Sequence, residues 1–209
     1  MKLYYSPGSC STSCHISLEE SGLKYEAIEV DWDNATDPNV ALMNKLNPLG
    51  TLPVAIISDK QVLTQNTSIH TYIADQAPNS GLLPKMGTFE RAEAVNWLSF
   101  VATDLHKSFG PLFAGKSISS DAKVQSEVRA WAETNTKEYL SFLNKHLEGR
   151  DYILGKQFSV ADSYCFVVAG WTKWVEISTA PYPHLEAYLK RVSERPAVHK
   201  VLKAEGLLG

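Results

Sequence analysis

Cys10 is the residue best suited to chemistry in this sequence. It stands in Pro7-Gly8-Ser9-Cys10-Ser11, where the short apolar stretch Lys2–Tyr5 breaks and a helix is expected to begin. The start of a helix offers unpartnered N–H groups and positive potential, and both favour a thiolate. Cys14 and Cys165 read instead as small buried hydrophobes, the ordinary role of a free cysteine. Cys10 and Cys14 are four apart, which is neither CxxC nor a usual zinc spacing. His15 adjoins them, but no second ligand pair appears elsewhere, so no metal is expected. Three cysteines make no disulfide framework and fit a reducing compartment.

Two further features of the first 80 residues could serve a ligand. Leu52-Pro53 opens an apolar strand after Gly50, and X–Pro bonds are where cis peptides occur. Gln65-Asn66-Thr67-Ser68 stands at the entrance of a helix, a place suited to a carboxylate; the plainer reading is that Asn66 or Thr67 caps that helix. Further on, Asp104-Leu105-His106-Lys107 falls on a long helix. A histidine there reaches a thiol only if its face turns toward the first 80 residues; otherwise it lies on a solvated face.

The elements that must position these groups follow from pattern and punctuation. Lys2–Tyr5 and residues 25–30 read as strands, with a helix over 11–21 closed by Gly22. A short helix over 40–46 ends at Asn47-Pro48. Residues 53–57 and 62–63 form a hairpin about Asp59-Lys60, and a helix follows over 66–76. The order βαβ, α, ββα implies one small mixed sheet covered by helices. Residues 77–87 hold two prolines and two glycines and read as a linker. Beyond it the pattern is helical: Ala94, Leu98, Val101, Leu105 and Leu112 keep one spacing, and Val124, Val128, Trp131, Tyr139 and Phe142 another. Ser159 to Asp162 resembles a capping box with Phe158 as a staple, and helices are expected over 183–194 and 197–204. The aromatic residues of this half, Trp97, Phe100, Phe109, Phe113, Trp131, Trp171 and Trp174, are expected mostly in the core.

With 209 residues, 44% hydrophobic and 21% charged, the chain suits one large or two small globular domains. A net charge of −3 argues against nucleic acid as a main partner. No apolar run approaches the ~20 residues that span a bilayer, and the N-terminus lacks a signal-peptide core, so neither membrane nor export is expected.

These residues together resemble the cytosolic glutathione transferases, and among them the bacterial beta class. The resemblance covers essentially the whole chain. It is carried by Lys2–Tyr5 with Pro7–Ser11, by Asn47–Pro53, and by Leu63–Asn66 with Ile69 and Tyr72–Asp75. In the second half it is carried by Trp97, Leu105–Lys107, Phe158–Asp162, Glu194–Val198 and Ala204–Leu207. It implies a thioredoxin-like glutathione-binding domain over 1–80 and an all-α domain over 88–209 in a cytoplasmic homodimer. By the same resemblance Cys10 meets the glutathione sulfur and His106 approaches it. Leu52, before a cis Pro53, pairs with the cysteinyl backbone, and Gln65 and Asn66 hold the γ-glutamyl end. Ser99, Thr103 and Asp104 lie near the ligand, some of these contacts coming from the partner subunit. Tyr5, Phe109, Phe113 and Trp171 are the expected lining of the electrophile pocket, although Tyr5 also reads as packing.

Three positions depart from the family pattern. Gln65 stands where glutamate is usual, Asn66 where serine or glycine is usual, and Ala35 near where a lysine often contacts glutathione. The activity implied is conjugation of the glutathione thiolate to small hydrophobic electrophiles, with glutathione as co-substrate. Two alternatives stand beside it: a glutathione-dependent thiol–disulfide exchange through Cys10, and a non-catalytic binder of glutathione or apolar ligands.

Overall fold

The computed structural model describes residues 1–34 and 36–208, with the backbone alone at Gly115 and Lys116. Ala35, one of the three departures, lies outside the described residues. Strands β1 (Lys2–Tyr5), β2 (Glu26–Glu29), β3 (Val54–Ser58) and β4 (Gln61–Thr64) form one sheet in the order β2-β1-β3-β4. β1 runs parallel to β2, with Leu3 opposite Ala27, and antiparallel to β3, with Leu3 opposite Ala55. β3 and β4 are the expected hairpin.

A strand at the centre of a covered sheet is apolar on both faces, and β1 is buried from Leu3 to Tyr5. Leu3 packs with Cys14 and Leu18 of α1 (Ser11–Ser21) and with Ile69 and Ile73 of α3 (Asn66–Gln76). Tyr4 points to the other face, against Met43 of α2 (Pro38–Leu46). The punctuation acts as expected: Gly22 closes α1 with φ of 70°, and α2 ends at Asn47.

The second half is helical: α4 (Phe89–Phe100), α5 (His106–Ile118), α6 (Ala122–His146), α7 (Val160–Gly170), α8 (Pro183–Ser193) and α9 (Pro196–Ala204). Helix α7 is buried along nearly its whole length, including Cys165. It packs against α1, which also meets α9, so one helix of the sheet layer is built into both halves. Ile16 of α1 accordingly belongs to the helical core.

Three expectations are corrected here. The buried face of α6 is Ala132, Thr136, Leu140 and Leu143; Val124, Trp131 and Phe142 are exposed on another stripe. The buried stripe is the one turned to α5, where the Thr136 hydroxyl donates to Ser108 at 3.0 Å. Trp174, like Trp131, is more than half exposed rather than core. Phe158 is no staple, because the residue one turn on is Ser163. Its ring instead carries the Arg195 guanidinium 4.1 Å above it. Arg195 in turn makes a two-pronged pair with Glu20 at 2.6 and 2.7 Å, tying α1 to the start of α9. The capping box itself forms: the Ser159 N–H donates to Asp162 at 2.8 Å, as does the Ile153 N–H at 2.7 Å.

Candidate active site

The loop from Ser6 to Cys10 is held from several sides. Ser9 Oγ accepts from the Ser11 N–H at 3.2 Å, and the two hydroxyls are 2.5 Å apart. The Gly8 N–H donates to Glu205 at 3.2 Å, and the Gly8 carbonyl accepts from the Trp171 indole N–H at 2.9 Å. Glu205, buried near the end of the chain, also accepts from Thr12 at 2.7 Å and contacts His15 Nδ1 at 2.8 Å. His15 is thus a partner of Glu205. Among the described residues, no three His, Cys, Asp or Glu side chains gather to hold a metal.

Cys10 lies at the start of α1, with its thiol directed to the Leu52 carbonyl at 3.5 Å. Leu52-Pro53 is cis, as its context suggested. The thiol is not activated as expected. Burial pushes it up, and this outweighs the Asn66 side chain, the nearby backbone N–H groups and Lys107, which pull it down. The helix start favours a thiolate by less than the apolar surroundings disfavour it.

Helix α3 begins without a side-chain cap, whereas Asp37 caps α2, Thr88 caps α4 and Asp121 caps α6. Neither Asn66 nor Thr67 plays the capping role considered for it. Asn66 is the first helical residue and its side chain turns inward, where Oδ1 accepts from Ser13 at 3.2 Å and Cys14 at 3.2 Å. Ser13 and Ser17 in turn bracket the ring of buried His70, at 3.0 and 2.9 Å. Gln65 is exposed and holds φ of 72°, a conformation that side chains usually avoid. The first-turn N–H groups of α3 are therefore left for something outside the helix.

His106 comes to the same place from the helical half. It opens α5 directly after a π-helical turn, Val101–Leu105, a distortion frequent at functional sites. Its Nδ1 lies 2.7 Å from the Tyr164 hydroxyl, and its ring stands edge-on to Trp171 at 4.8 Å. Burial, with Lys107 beside it, lowers its pKa to about 4, so the ring is neutral near pH 7. With Tyr164 donating to Nδ1, Nε2 carries a proton to offer a thiolate. With the roles reversed, Nε2 accepts the thiol proton.

Cys10 and His106 line one cavity of about 390 Å³, together with Gly8, Gly110, Phe113, Trp171 and Trp174 among others. Of the four aromatic residues expected there, Phe113 and Trp171 are present. Tyr5 is buried and packs against His15 at 5.1 Å. Phe109 is fully buried behind the wall, with its ring 5.7 Å from Trp171. Tyr5 ends a covered strand, and Phe109 points into the helical core. Trp174 and Gly110 were not foreseen; a tryptophan reads as core by composition, and a glycine carries no apolar signal. Tyr164 carries no such signal either, because it lies on a helix buried on nearly every side, where a tyrosine reads as packing.

Ser99, Thr103 and Asp104 do not face this cavity. They line a second hollow of about 310 Å³ with Trp97, Phe100 and Phe142. The Thr103 hydroxyl donates to Asp104 at 2.7 Å there. Exposed Phe142 packs against Trp97 and Phe100, with centroids at 5.7 and 5.2 Å.

The architecture has close counterparts. Residues 8–76 match the glutathione S-transferase N-terminal domain and residues 97–196 the C-terminal domain. Glutathione S-transferase GstA of Escherichia coli O157:H7 is 35% identical over 99% of this chain and 100% of its own length. A sphingomonad glutathione S-transferase, solved in complex with glutathione, is 42% identical, with a TM-score of 0.89 over 99% of this chain and 100% of that one. The beta-class glutathione S-transferase of Sphingomonas chungbukensis is 39% identical, with a TM-score of 0.89 over the whole of both chains. Full-length identity of this order, with both domain models matched in sequence order on the sheet and helical halves, establishes that the chain belongs to the glutathione S-transferase family.

Proposed function

We propose that this protein conjugates the glutathione thiolate to small hydrophobic electrophiles, and that the cavity shared by Cys10 and His106 is where the bond forms. The carrying observation is that one cavity joins the Cys10 loop, a neutral histidine and an aromatic wall. Glutathione lies along the edge of a glutathione-binding unit spanning 1–80. Its γ-glutamyl carboxylate takes the uncapped first turn of α3 beside Gln65, with Asn66 contributing its backbone N–H. The backbone of Leu52, before Pro53, pairs with the cysteinyl part, which brings the sulfur to Cys10.

At that point His106 donates to the thiolate or takes the thiol proton. A positioned group of this kind contributes rate by lowering the cost of the charged sulfur. The sulfur–carbon bond forms as the leaving group departs with its electron pair. Phe113 and Trp171, from the helical unit spanning 88–209, hold the electrophile. Ser99, Thr103 and Asp104, on an outer face with exposed aromatic residues, reach the glutathione of a second copy in a homodimer. The protein acts in the cytoplasm.

The test is glutathione consumption with an aryl halide, for the parent, Cys10→Ala and His106→Ala. Turnover by the parent and loss in His106→Ala support the reading. An inactive parent that reduces a mixed disulfide through Cys10 would replace it with the exchange reading, which the raised Cys10 thiol disfavours. Binding of glutathione with neither activity would leave a non-catalytic binder.

A further inference from the structure

Helix α5 presents His106, Gly110 and Phe113 to the cavity, at spacings of four and three that put them on one face. The middle one has no side chain. Gly110 lies inside the helix without a positive φ, and among the described residues a Cβ built on it meets nothing within 4 Å beyond its chain neighbours and its own helix backbone. Gly8, in the same cavity, is the opposite case: a Cβ there would meet Trp174 at 2.3 Å. Space beside Gly110 therefore belongs to the cavity and not to a neighbouring side chain.

The direction of that space matters. In a helix each Cα–Cβ bond tilts toward the N-terminus, and longer side chains lean the same way. A side chain at 110 would lean toward His106, and so toward the end of the cavity that Cys10 lines. The rings that line the same cavity are Phe113, on the same face of α5, and Trp171 and Trp174 from beyond α7. Phe113 and Trp171 pack edge-to-face, with centroids 5.7 Å apart, and give the cavity an apolar wall against which a flat aromatic group can lie; the neutral His106 adds no charge that would select an ion.

We propose that the absent side chain of Gly110 sets the size of acceptor this site takes, admitting flat aromatic groups of two fused rings beside the sulfur. This inference rests on the conjugation reading. In the step it concerns, the glutathione sulfur bonds to a benzylic carbon as the carbon–chlorine bond breaks. Chloride leaves with the electron pair, and the thiol proton passes to solvent. Gly110 also precedes Pro111, where a missing Cβ eases the backbone, so a change of stability alone does not report on the acceptor.

The experiment compares two conjugates, S-benzylglutathione and S-(2-naphthylmethyl)glutathione, by quenching of tryptophan fluorescence in the parent, Gly110→Ala and Gly110→Leu. Turnover of benzyl chloride and 2-(chloromethyl)naphthalene is measured alongside. Apolar pockets discriminate by about 10-fold or more per misplaced group. The naphthyl-to-benzyl ratio should fall about 3-fold in Gly110→Ala and about 10-fold in Gly110→Leu, in binding and in kcat/KM alike. Gly110→Ala carries the test alone if the leucine variant does not fold. A ratio that stays constant across the variants overturns the inference while leaving the conjugation reading intact. A parent that binds both conjugates but turns over neither halide sinks the conjugation reading, and the binding ratio then still decides the role of Gly110.

Discussion

Replacing Gly8 by alanine should damage both the fold and the acceptor site, and the two effects can be separated. Gly8 holds φ of +72°, where an L-residue costs about 1–2 kcal/mol. The new Cβ would stand 2.3 Å from Trp174 Cη2 and 3.0 Å from Cζ2. Ordinary carbon contact is about 3.5–4.0 Å, so either ring or backbone must retreat by more than about 1 Å. The backbone is the harder to move, because its N–H is bound to Glu205 and its carbonyl to Trp171. Each such bond is worth about 1 kcal/mol, and more where a carboxylate accepts. Trp174 is 56% exposed and can tip into solvent. The ring should therefore move, at about 1 kcal/mol of lost contact, for a total near 2–3 kcal/mol. For a chain of this length that lowers the unfolding midpoint by about 5–10 °C. Acceptor KM should rise while glutathione KM changes little. In Gly8→Ala/Trp174→Ala the ring is gone, so adding alanine at 8 should cost only the conformational part. The assay is urea unfolding of the four proteins of this cycle, with kinetics on the same samples. An alanine at 8 that costs equally with and without Trp174 would refute the reasoning.

Because His106 titrates near pH 4, the pH profile of kcat/KM should show no histidine limb between about pH 5 and 8, and a bend near 6.5 would contradict its burial. Acid should unfold the protein early: His106 and His70, with pKa values of about 4 and 3, sit below the 6.5 of an unfolded histidine. Stability present above pH 6.5 is then lost as pH falls toward 4. Asp162, raised from 3.8 to about 6, acts oppositely between those values, and the two histidines outweigh it; thermal midpoints from pH 7 to 4 should fall, and less steeply in His70→Gln. Asp162→Ala strands the buried N–H groups of Ile153 and Ser159 and should cost about 3 kcal/mol, measured by urea unfolding.

Much of the sheet layer was legible because its boundaries are chemical. Gly22 and Asn47-Pro48 each stop a helix by backbone constraint, which acts locally, whereas α2 begins at Pro38, two residues before the expected start. The helical half was legible as helices but not as faces. On α6 apolar residues occupy two stripes, Val124, Trp131 and Phe142 on one and Ala132, Leu140 and Leu143 on the other, and only packing against the neighbouring helices makes the second the buried one. The site divides in the same way. Cys10 and His106 stand out as reactive types at element starts. Whether the thiol is activated depended on burial, which outweighed the helix start that the sequence displays. Tyr5 and Phe109 were assigned to the cavity as aromatic residues near the right elements, yet each points to the other side of its own element. Gly110 and Trp174 shape the acceptor space through what is absent or exposed, and neither leaves a mark in hydrophobic periodicity.

The bond between Gly8 and Glu205 joins residues 197 apart, and this bears on how the protein is made. Domains emerging from the ribosome tend to fold in order of synthesis. The sheet can form early, since its strands and α3 all lie before residue 77. The loop that presents Cys10 cannot be finished then. Until α9 emerges, the Gly8 N–H, Thr12 and His15 lack their shared carboxylate, and Ile16 lacks the helical core it packs into. A nascent or proteolytically clipped first half would therefore present a sheet without a working sulfur site.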